Sequence, residues 1–349
     1  MSGADFQARA RSLRARFDAL ADAEPGLRVR TMADRLGVAE VELLAAQCGD
    51  MSADRLDVRP LDLFRELGQV NEFMAVSRNP WCVHERTGRY QDVRIEGQIG
   101  VVRGPDIDLR MFFAHWDSVW LVAQTGRRSL QFFDHTGTAV HKTYATPNTD
   151  LAALQALVAR HGAAAPQWPM LRAPAVPMLA DRPDDPQGLR AGWLALRDTA
   201  QFFPLLRKYQ VSRVGALRAV GSDLAQEVGA QSLERLLTQV SLMGLPVQCF
   251  VSNRGIVQIH TGPMYNLYRA GPWLHVQDER FNLHLNVLAV ASAWVVNKPS
   301  QDGWLTSLEG YAENGELIVQ FFGVRQPGRS EPRRWRDLLV DLCNEPLAC

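Results

Sequence analysis

The chain contains two long segments with the same order of residue types, and this internal repeat limits its fold more than any other feature. Residues 109–122 read LRMFFAHWDSVWLV and residues 283–296 read LHLNVLAVASAWVV, with Leu, Ser, Trp and Val matching at one offset of 174 (283 − 109). A second pair, SLQFFDHTGTAVHKTY and SLEGYAENGELIVQFF, follows at an offset of 178 (307 − 129). Solenoid repeats have much shorter periods. The repeat therefore indicates two similar halves, and we expect a central ligand-binding cleft between them.

Composition and charge are typical of a soluble protein with two domains. A chain of 349 residues is too long for one ordinary core, and its 46% hydrophobic and 22% charged residues match globular proteins. The formal net charge of zero argues against binding nucleic acid through bulk electrostatics. No apolar run approaches the roughly 20 residues of a membrane helix. The five cysteines form no CxxC pair, and no charged-then-apolar leader opens the chain, so we expect a reduced, cytoplasmic protein.

The order of predicted elements indicates an α+β fold built by tandem duplication, each half being a large antiparallel sheet with helices. Residues 1–161 begin with helical patterns, continue with short β-type runs and close with a helix from Leu151 to His161. Residues 162–188 hold six prolines among alanines and are predicted to be an extended linker. Residues 189–349 again place helices before strands, the arrangement expected of an α+β protein.

One segment near the N-terminus allows a hypothesis of another class. The segment that begins at Thr31 reads TMADRLGVAEVELLAAQCG. Its pattern predicts a helix, a turn at a glycine and a second helix, which is the outline of DNA-reading helix-turn-helix motifs. A DNA-binding regulator is therefore an alternative function. The zero net charge favours a helical pair packed on its own domain.

Common catalytic signatures are absent from the sequence, but four basic residues occupy unusual positions. GxSxG, HExxH, Walker and GxGxxG patterns do not occur. Arg110 interrupts the apolar run DLRMFF, so its side chain either faces water or points into a cavity. Arg213, Lys298 and Arg325 lie near predicted element ends, where they could bind carboxylates. Spacing alone equally fits solvated surface charge.

A family resemblance gives these positions a function. Six segments resemble, in their order along the chain, the hemin-degrading factor (HemS-type) family: RNPWCVHERTGRYQDV, DIDLRMFF, SLQFFDHTGTAVHKTY, GIVQIHTGP, AWVVNKPSQDGWLTSLE and FFGVRQPG. The resemblance extends from about residue 20 to the C-terminus and includes both halves and the linker. It implies a cytoplasmic heme-binding protein of bacterial heme uptake and iron utilisation. Some members of that family degrade heme and others carry it to a separate heme oxygenase.

The resemblance also assigns candidate heme-binding residues. It places the family's distal arginine, on the iron face, at Arg110, which is the one catalytic candidate. It places the basic residues near the heme propionates at Arg213, Lys298 and Arg325, and the glutamine of the family's QLYG-like motif at Gln320. Phe322 stands where the family commonly has a tyrosine, so a phenol hydrogen bond is lost. Phe202 and Phe203 are candidate walls for the porphyrin ring.

The family's axial histidine position departs from the pattern. It falls in the segment DTAQFF, where Ala200 stands in its place. Alanine has no donor atom for iron, which needs nitrogen, sulfur or oxygen. Three explanations are open: an engineered His→Ala change, a natural protein with another ligand or water, or a scaffold that has lost heme binding. Candidates for another ligand are Tyr209, His284 and His84.

The resemblance therefore predicts heme as ligand or substrate, bound in the cleft between the halves for degradation or delivery. The partners it implies are a heme oxygenase and the inner-membrane heme transporter. Because Ala200 cannot hold iron, we expect any heme-degrading activity to be impaired and binding to be weakened without being abolished. A non-catalytic carrier is the alternative, since a weak proximal ligand makes release easier.

Overall fold

The computed structural model describes residues 3–124, 126–165, 167–174, 179–326 and 328–349. Pro166 and Pro177 of the predicted linker lie outside these residues. The α-helices of the described part are α1 (Gly3–Ala23), α2 (Val29–Leu36), α3 (Glu40–Ala45), α4 (Pro60–Glu66), α5 (Leu151–His161), α6 (Pro186–Leu194), α7 (Phe202–Lys208), α8 (Arg213–Ala219), α9 (Ser232–Met243) and α10 (Arg333–Val340).

The strands of the first repeat are β1 (Ser52–Arg55), β2 (Phe73–Arg78), β3 (Cys82–Gly88), β4 (Val93–Glu96), β5 (Ile99–Arg103), β6 (Asp108–Phe112), β7 (Trp116–Gln124), β8 (Arg127–Asp134) and β9 (Ala139–Ala145). Those of the second repeat are β10 (Ala225–Val228), β11 (Val247–Ser252), β12 (Ile256–Gly262), β13 (Leu267–Ala270), β14 (Trp273–Gln277), β15 (Phe281–Asn286), β16 (Ser292–Ser300), β17 (Gly303–Tyr311) and β18 (Leu317–Gly323).

These strands form two antiparallel sheets of nine strands, and their order confirms the duplicated α+β fold. The first sheet runs β1-β7-β8-β9-β2-β3-β15-β14-β13 and the second runs β10-β16-β17-β18-β11-β12-β6-β5-β4. The first six strands of the two sheets correspond one to one, with strand numbers nine apart. The last three strands of each sheet come from the other repeat, a feature that the linear pattern of strands did not reveal.

The register inside the sheets confirms the repeat at the level of residues. Trp120 lies opposite Gln131 on β7 and β8, and Trp294 lies opposite Glu309 on β16 and β17. Each indole Nε1 donates to the serine two residues earlier on its own strand, at 3.2 Å in the first repeat and 3.3 Å in the second. Equivalent residues therefore occupy equivalent places in the two sheets.

The chain divides into two compact units. The first comprises residues 1–78, 85–175 and 253–258, and the second comprises residues 79–84, 176–252 and 259–349. Two short segments thus belong to the unit of the opposite repeat. The predicted division into 1–161, 162–188 and 189–349 stays a prediction about domains.

Local sequence signals explain where several elements begin and end. The Asp150 side chain accepts the Ala153 N–H at 2.9 Å and starts α5, and the Ser212 hydroxyl accepts the Gly215 N–H at 3.0 Å and starts α8. Gly244 ends α9 in the left-handed conformation at φ 58°. Serine is a common capping residue, but Ser232 is already the first helical residue of α9 and Gln231 holds the cap position.

In the second unit, the strands β16 and β17 divide their side chains between two cores. Leu308 and Val295 join the buried cluster that includes Leu237 of α9 and Trp335 of α10. The cluster beside α6, α7 and α8 instead contains Trp294 and Tyr311. Because successive side chains of a strand point to opposite faces, Lys298 and Glu309 share the second face. This face carries the candidate functional site.

The predicted helical pair near the N-terminus is real, but it does not suit DNA reading. α2 and α3 are joined through Gly37, which has φ 66°. All six residues of α3 are buried, whereas a recognition helix must offer exposed side chains to the major groove. Among the described helices, none has the length and apolar character needed to cross a bilayer.

Candidate functional site

Three of the basic and polar residues predicted from the resemblance converge on one buried carboxylate, Glu309. Its side chain is fully buried. Oε1 accepts from Lys298 Nζ at 2.9 Å and from Gln320 Nε2 at 2.8 Å, and Oε2 accepts from Arg213 Nη2 at 2.8 Å. The Ser307 hydroxyl adds a bond to Oε1 at 2.8 Å. We call Arg213, Lys298, Glu309 and Gln320 the Glu309 cluster.

Tyr311 completes the surroundings of Glu309. Its hydroxyl donates to Oε2 and accepts from Arg213 Nε at 2.7 Å, while that same Nε lies 3.1 Å from Oε2. Burial raises the pKa of Tyr311 well above its ordinary value, so the phenol stays protonated and can act as this donor. Both carboxylate oxygens are therefore fully used.

The charges of the cluster stabilise one another against burial. Burial alone raises the pKa of Glu309, but the positive charges of Arg213 and Lys298 outweigh it and hold that pKa well below its usual range. Burial lowers the pKa of Lys298 and the negative charge of Glu309 opposes this change. With both bases protonated, two cations and one carboxylate leave one positive charge in excess. An anion that reaches the cluster meets this excess charge.

Aromatic rings of α7 pack against the two cations. The Arg213 guanidinium carbon lies 5.1 Å from the centroid of Phe202 and 5.7 Å from that of Phe203. Lys298 Nζ lies 4.6 Å from the Phe202 centroid, within cation–π distance. Phe202 is only 3% exposed and packs edge-on against Trp193, whereas Phe203 is 58% exposed. Of the two predicted porphyrin walls, Phe203 therefore offers open surface, and Phe202 supports the cations from inside.

Phe322 lies on β18 with Gln320, and Arg325 follows two residues after that strand ends. Phe322 is two residues from Gln320 on β18 and shares its face, and it packs against Phe250 with ring centroids 5.0 Å apart. Arg325 donates to Ser300 Oγ at 2.9 Å, and Ser300 is two residues from Lys298 on β16. Arg325 also lies 3.6 Å from Asp302.

Arg110 belongs to the first unit, on β6. Its guanidinium pairs with Asp108 and donates to the Leu109 carbonyl at 2.9 Å, and its side chain is 33% exposed. The repeat equivalent of Arg110 on β15 is His284, at the offset of 174. Both lie opposite a residue of the neighbouring hairpin strand, Val101 and His275 respectively.

Ala200 lies in an exposed single 3₁₀ turn, residues 199–201, just before α7. Asp198 fixes this turn by accepting the Ala200 N–H at 2.7 Å, and Gln201 reaches back to the backbone of residues 197 and 198. The turn is thus held firmly although its central residue offers only a methyl group.

The three alternative iron ligands do not contact the Glu309 cluster through the interactions found in the described residues. Tyr209 follows α7 at the end away from Ala200, and it packs against the helix cluster near Gly188 and Gly192 of α6. His284 Nδ1 lies 2.6 Å from His275 Nδ1. His84 is fully buried and its ring lies 5.1 Å from that of Phe281. Both histidines are on strands of the first sheet, whereas the cluster is on the second.

Sequence reasoning missed Glu309, the residue on which the cluster depends. A usable signal was present: a single carboxylate stands in the run WLTSLEGY, where the first repeat has glutamine in SLQFF. An acidic residue on a buried strand needs a cation as partner. Its partners are up to 96 residues away in sequence, so only the folded chain identifies them.

Comparison with known proteins agrees with the fold. A model of the haemin-degrading HemS/ChuX domain matches residues 37–161 and 210–342, and the chain belongs to this family. The hemin transport protein HmuS of Yersinia pestis is 36% identical over 331 residues, covering 93% of this chain and 95% of the relative.

Two solved structures of similar length have the same fold. Apo-PhuS, a heme-binding protein from Pseudomonas aeruginosa, superposes with a TM-score of 0.91 at 40% identity, covering 95% of this chain and 99% of that one. ChuS, described as an E. coli heme oxygenase, superposes with a TM-score of 0.85 at 33% identity, with the same coverage. None of these relatives is described as a DNA-binding regulator.

Proposed function

We propose that this protein binds heme in bacterial heme uptake and iron utilisation, acting in the cytoplasm. The Glu309 cluster carries the proposal, because it combines excess positive charge with an exposed aromatic ring at the positions that the family resemblance assigns to heme. The names of the relatives, a hemin transport protein, a heme-binding protein and a heme oxygenase, support the same ligand.

The residues of the site fit the two chemically different parts of heme. The propionates are carboxylates, which arginine and lysine recognise through charge-assisted hydrogen bonds. The porphyrin ring is a flat apolar surface, which suits the exposed ring of Phe203. Arg213 joins the two functions, since it packs on Phe203 while its guanidinium faces Glu309. We propose that Arg213, Lys298, Gln320 and Arg325 lie on the propionate side.

The iron side of the ligand fits this chain less well. When bound, heme supplies an iron atom that can activate oxygen, and it is held best when the protein provides an axial donor. Residue 200 provides none. We propose that ring contacts and propionate bonds supply most of the binding energy here, and that Arg110 serves the distal face as in the resemblance.

Delivery of heme is the function that Ala200 favours over degradation. A strong axial ligand slows release, so a site without one suits a carrier that passes heme to a partner. We propose a heme oxygenase as the receiving partner and the inner-membrane heme transporter as the source. Heme degradation, the activity for which ChuS is named, is proposed as the second candidate and is expected to be slow in this chain.

A heme titration followed by absorbance tests the proposal on the parent protein and on Ala200→His. The parent should bind heme with a spectrum that lacks a strong nitrogen ligand, and the variant should bind more tightly with a sharpened spectrum. Ala8→His, at an exposed position of α1, controls for the addition of a histidine elsewhere. No binding by the parent would contradict the proposal. Tight binding with one spectrum in all three proteins would show that another residue already ligates the iron.

Turnover separates delivery from degradation. With ascorbate as reductant in air, the heme absorbance of the parent complex should decay more slowly than that of Ala200→His. Equal decay in both proteins would contradict the proposed preference for delivery.

A further inference from the structure

Glu309 has no counterpart of the same charge in the first repeat, although its surroundings are repeated there. Gln131 occupies the equivalent place on β8, opposite Trp120, and its Nε2 donates to Ser129 Oγ at 3.1 Å. In the second repeat the corresponding bond is reversed, because Glu309 can only accept and Ser307 donates. A neutral amide is thus sufficient for the strand and its indole neighbour, so the fold of this sheet does not by itself require a carboxylate.

The carboxylate is instead matched to the three candidate heme-binding residues. Arg213 is on α8, Lys298 is on β16 and Gln320 is on β18. All three donate to Glu309, which lies on a fourth element, β17. Glu309 is the acceptor that these three side chains have in common. It also neutralises one of two cations that burial brings together.

We propose that Glu309 is a positioning residue of the heme site: it fixes Arg213, Lys298 and Gln320 in the arrangement that receives the propionates. This inference rests on the proposed function. Glu309 itself faces no ligand, because it is fully buried and both oxygens are occupied by donors of the protein. Its effect on heme passes through the residues that it holds.

Positioning and simple charge make opposite predictions for Glu309→Gln. If net charge alone governed the site, removing a negative charge would tighten the binding of an anion. If Glu309 positions the cations, the substitution leaves Arg213 and Lys298 buried with their mutual repulsion. One carboxylate oxygen is replaced by an amide NH2 that donates, so the two cations no longer share a charged acceptor and the propionates lose their aligned donors. We expect heme affinity to fall about tenfold or more, the effect of losing roughly one charge-assisted hydrogen bond.

The experiment compares heme with heme dimethyl ester, in which both propionates are esterified, on the full-length chain. The parent should bind heme more tightly than the ester. Glu309→Gln should lower heme affinity about tenfold and change ester affinity less than about twofold, and Glu309→Asp should recover part of the loss. Equal losses for heme and ester, or tighter binding of heme, would overturn the proposal.

Glu331→Gln is the matched control. Glu331 is also a shielded, ion-paired carboxylate bonded to β17, since it accepts from the Thr306 N–H at 2.7 Å and from Arg336 Nη1 at 3.0 Å. Thr306 and Ser307 are neighbours on the strand, so Glu331 lies on the face away from the cluster. This variant should leave the ratio of heme to ester affinity at the parental value. A ratio lowered as far as in Glu309→Gln would overturn the proposal.

A double variant keeps the test decisive if Glu309→Gln fails to fold. Lys298→Met with Glu309→Gln removes one cation and the carboxylate together, so the cluster keeps one excess positive charge on Arg213. Replacing a buried pair by an uncharged pair is tolerated far better than removing one partner. Because Lys298 is itself assigned to the propionates, Lys298→Met alone is measured beside the double variant. A heme-to-ester affinity ratio lower in the double variant than in Lys298→Met supports positioning, and an equal or higher ratio overturns it. If the parent binds neither heme nor the ester, the proposed function itself fails. If the parent binds both and the variant keeps the parental affinities, only the positioning role of Glu309 fails.

Discussion

His141 shows how a titratable residue is built into the core of the first unit. Its ring is buried, with Ser77 Oγ 2.8 Å from Nδ1 and the Tyr90 hydroxyl 2.7 Å from Nε2. A neutral imidazole can donate at one nitrogen and accept at the other, so both contacts are satisfied without a charge. Burial lowers the pKa of His141 from its ordinary 6.5 to about 3, against a smaller opposing contact with the backbone of Val76.

This buried histidine predicts a loss of stability in mild acid. Because the pKa is lower in the folded state than in the unfolded state, the unfolded chain takes up a proton first as the pH falls below 6.5. The His141 contribution is therefore complete above pH 6.5 and falls by about 1.4 kcal/mol per pH unit below it, until the folded pKa is reached. Urea unfolding of the parent and of His141→Gln at pH 7.5, 6.0 and 5.0 measures the slope.

The variant should be less stable at pH 7.5 by about 1 to 3 kcal/mol, since two hydroxyls lose an aligned partner, but its stability should change less with pH. His135→Gln, at the exposed turn between β8 and β9, should keep the parental slope. Parallel slopes in the parent and in His141→Gln would show that another group governs the acid sensitivity.

Among the helices, α8 links a local sequence signal to the candidate site. Ser212 caps it, and the first helical residue is Arg213, whose guanidinium bonds to Glu309. The cap therefore fixes the helix end from which the site's arginine extends. α9 begins without such a side-chain cap, because Gln231 holds the cap position.

Ser212→Ala should lower the free energy of unfolding by about 1 kcal/mol, the usual cost of losing a serine cap. It should also weaken heme binding, since the first turn of α8 holds Arg213. Ser232→Ala, at the first turn of α9, is the comparison and should leave heme affinity unchanged. Denaturant unfolding and the heme titration measure the two effects; an Ser212→Ala protein as stable as the parent would contradict the assigned cap.

Across the whole molecule, duplication has kept the sheets alike while the polar residues have diverged. Glu309 corresponds to Gln131, and Lys298 corresponds to Gln124, at the offset of 174. The first repeat carries Lys142 where the second has Gln320, and Lys142 pairs with the buried Glu40. The buried carboxylate near these strands of the first repeat is therefore Glu40 of α3, which feels the charges of Lys142, Arg30 and Arg78, and the place of Glu309 itself holds a neutral amide.

This asymmetry predicts one high-affinity heme per chain in spite of two similar halves. A titration at micromolar protein should reach its absorbance endpoint at one equivalent, and Arg213→Ala should weaken that binding by about tenfold or more. Arg128→Ala, at an exposed position of β8, is the control for loss of an arginine. A second tight equivalent that persists in Arg213→Ala would locate a site outside the Glu309 cluster.

Much of the fold could be predicted because its signals are local. The helix from Leu151 to His161 depends on apolar spacing and a capping residue that operate within a few residues, and the duplication can be read from matching residue types. Ser232 shows the limit of such signals, since this serine at the start of α9 is a helical residue and not its cap. The resemblance supplied the residues of the candidate site one at a time, without their mutual contacts.

The sequence by itself determined the repeated α+β pattern, the family and the alanine at the position that the resemblance assigns to the iron ligand, because each can be read from residue identity and order. Only the tertiary structure decided that Arg213, Lys298 and Gln320 meet at Glu309, and that the last three strands of each sheet come from the other repeat. The physical reason is that a buried charge is stable only with a partner, and the partner is chosen by strand order and helix packing over about a hundred residues of chain, which no local pattern encodes.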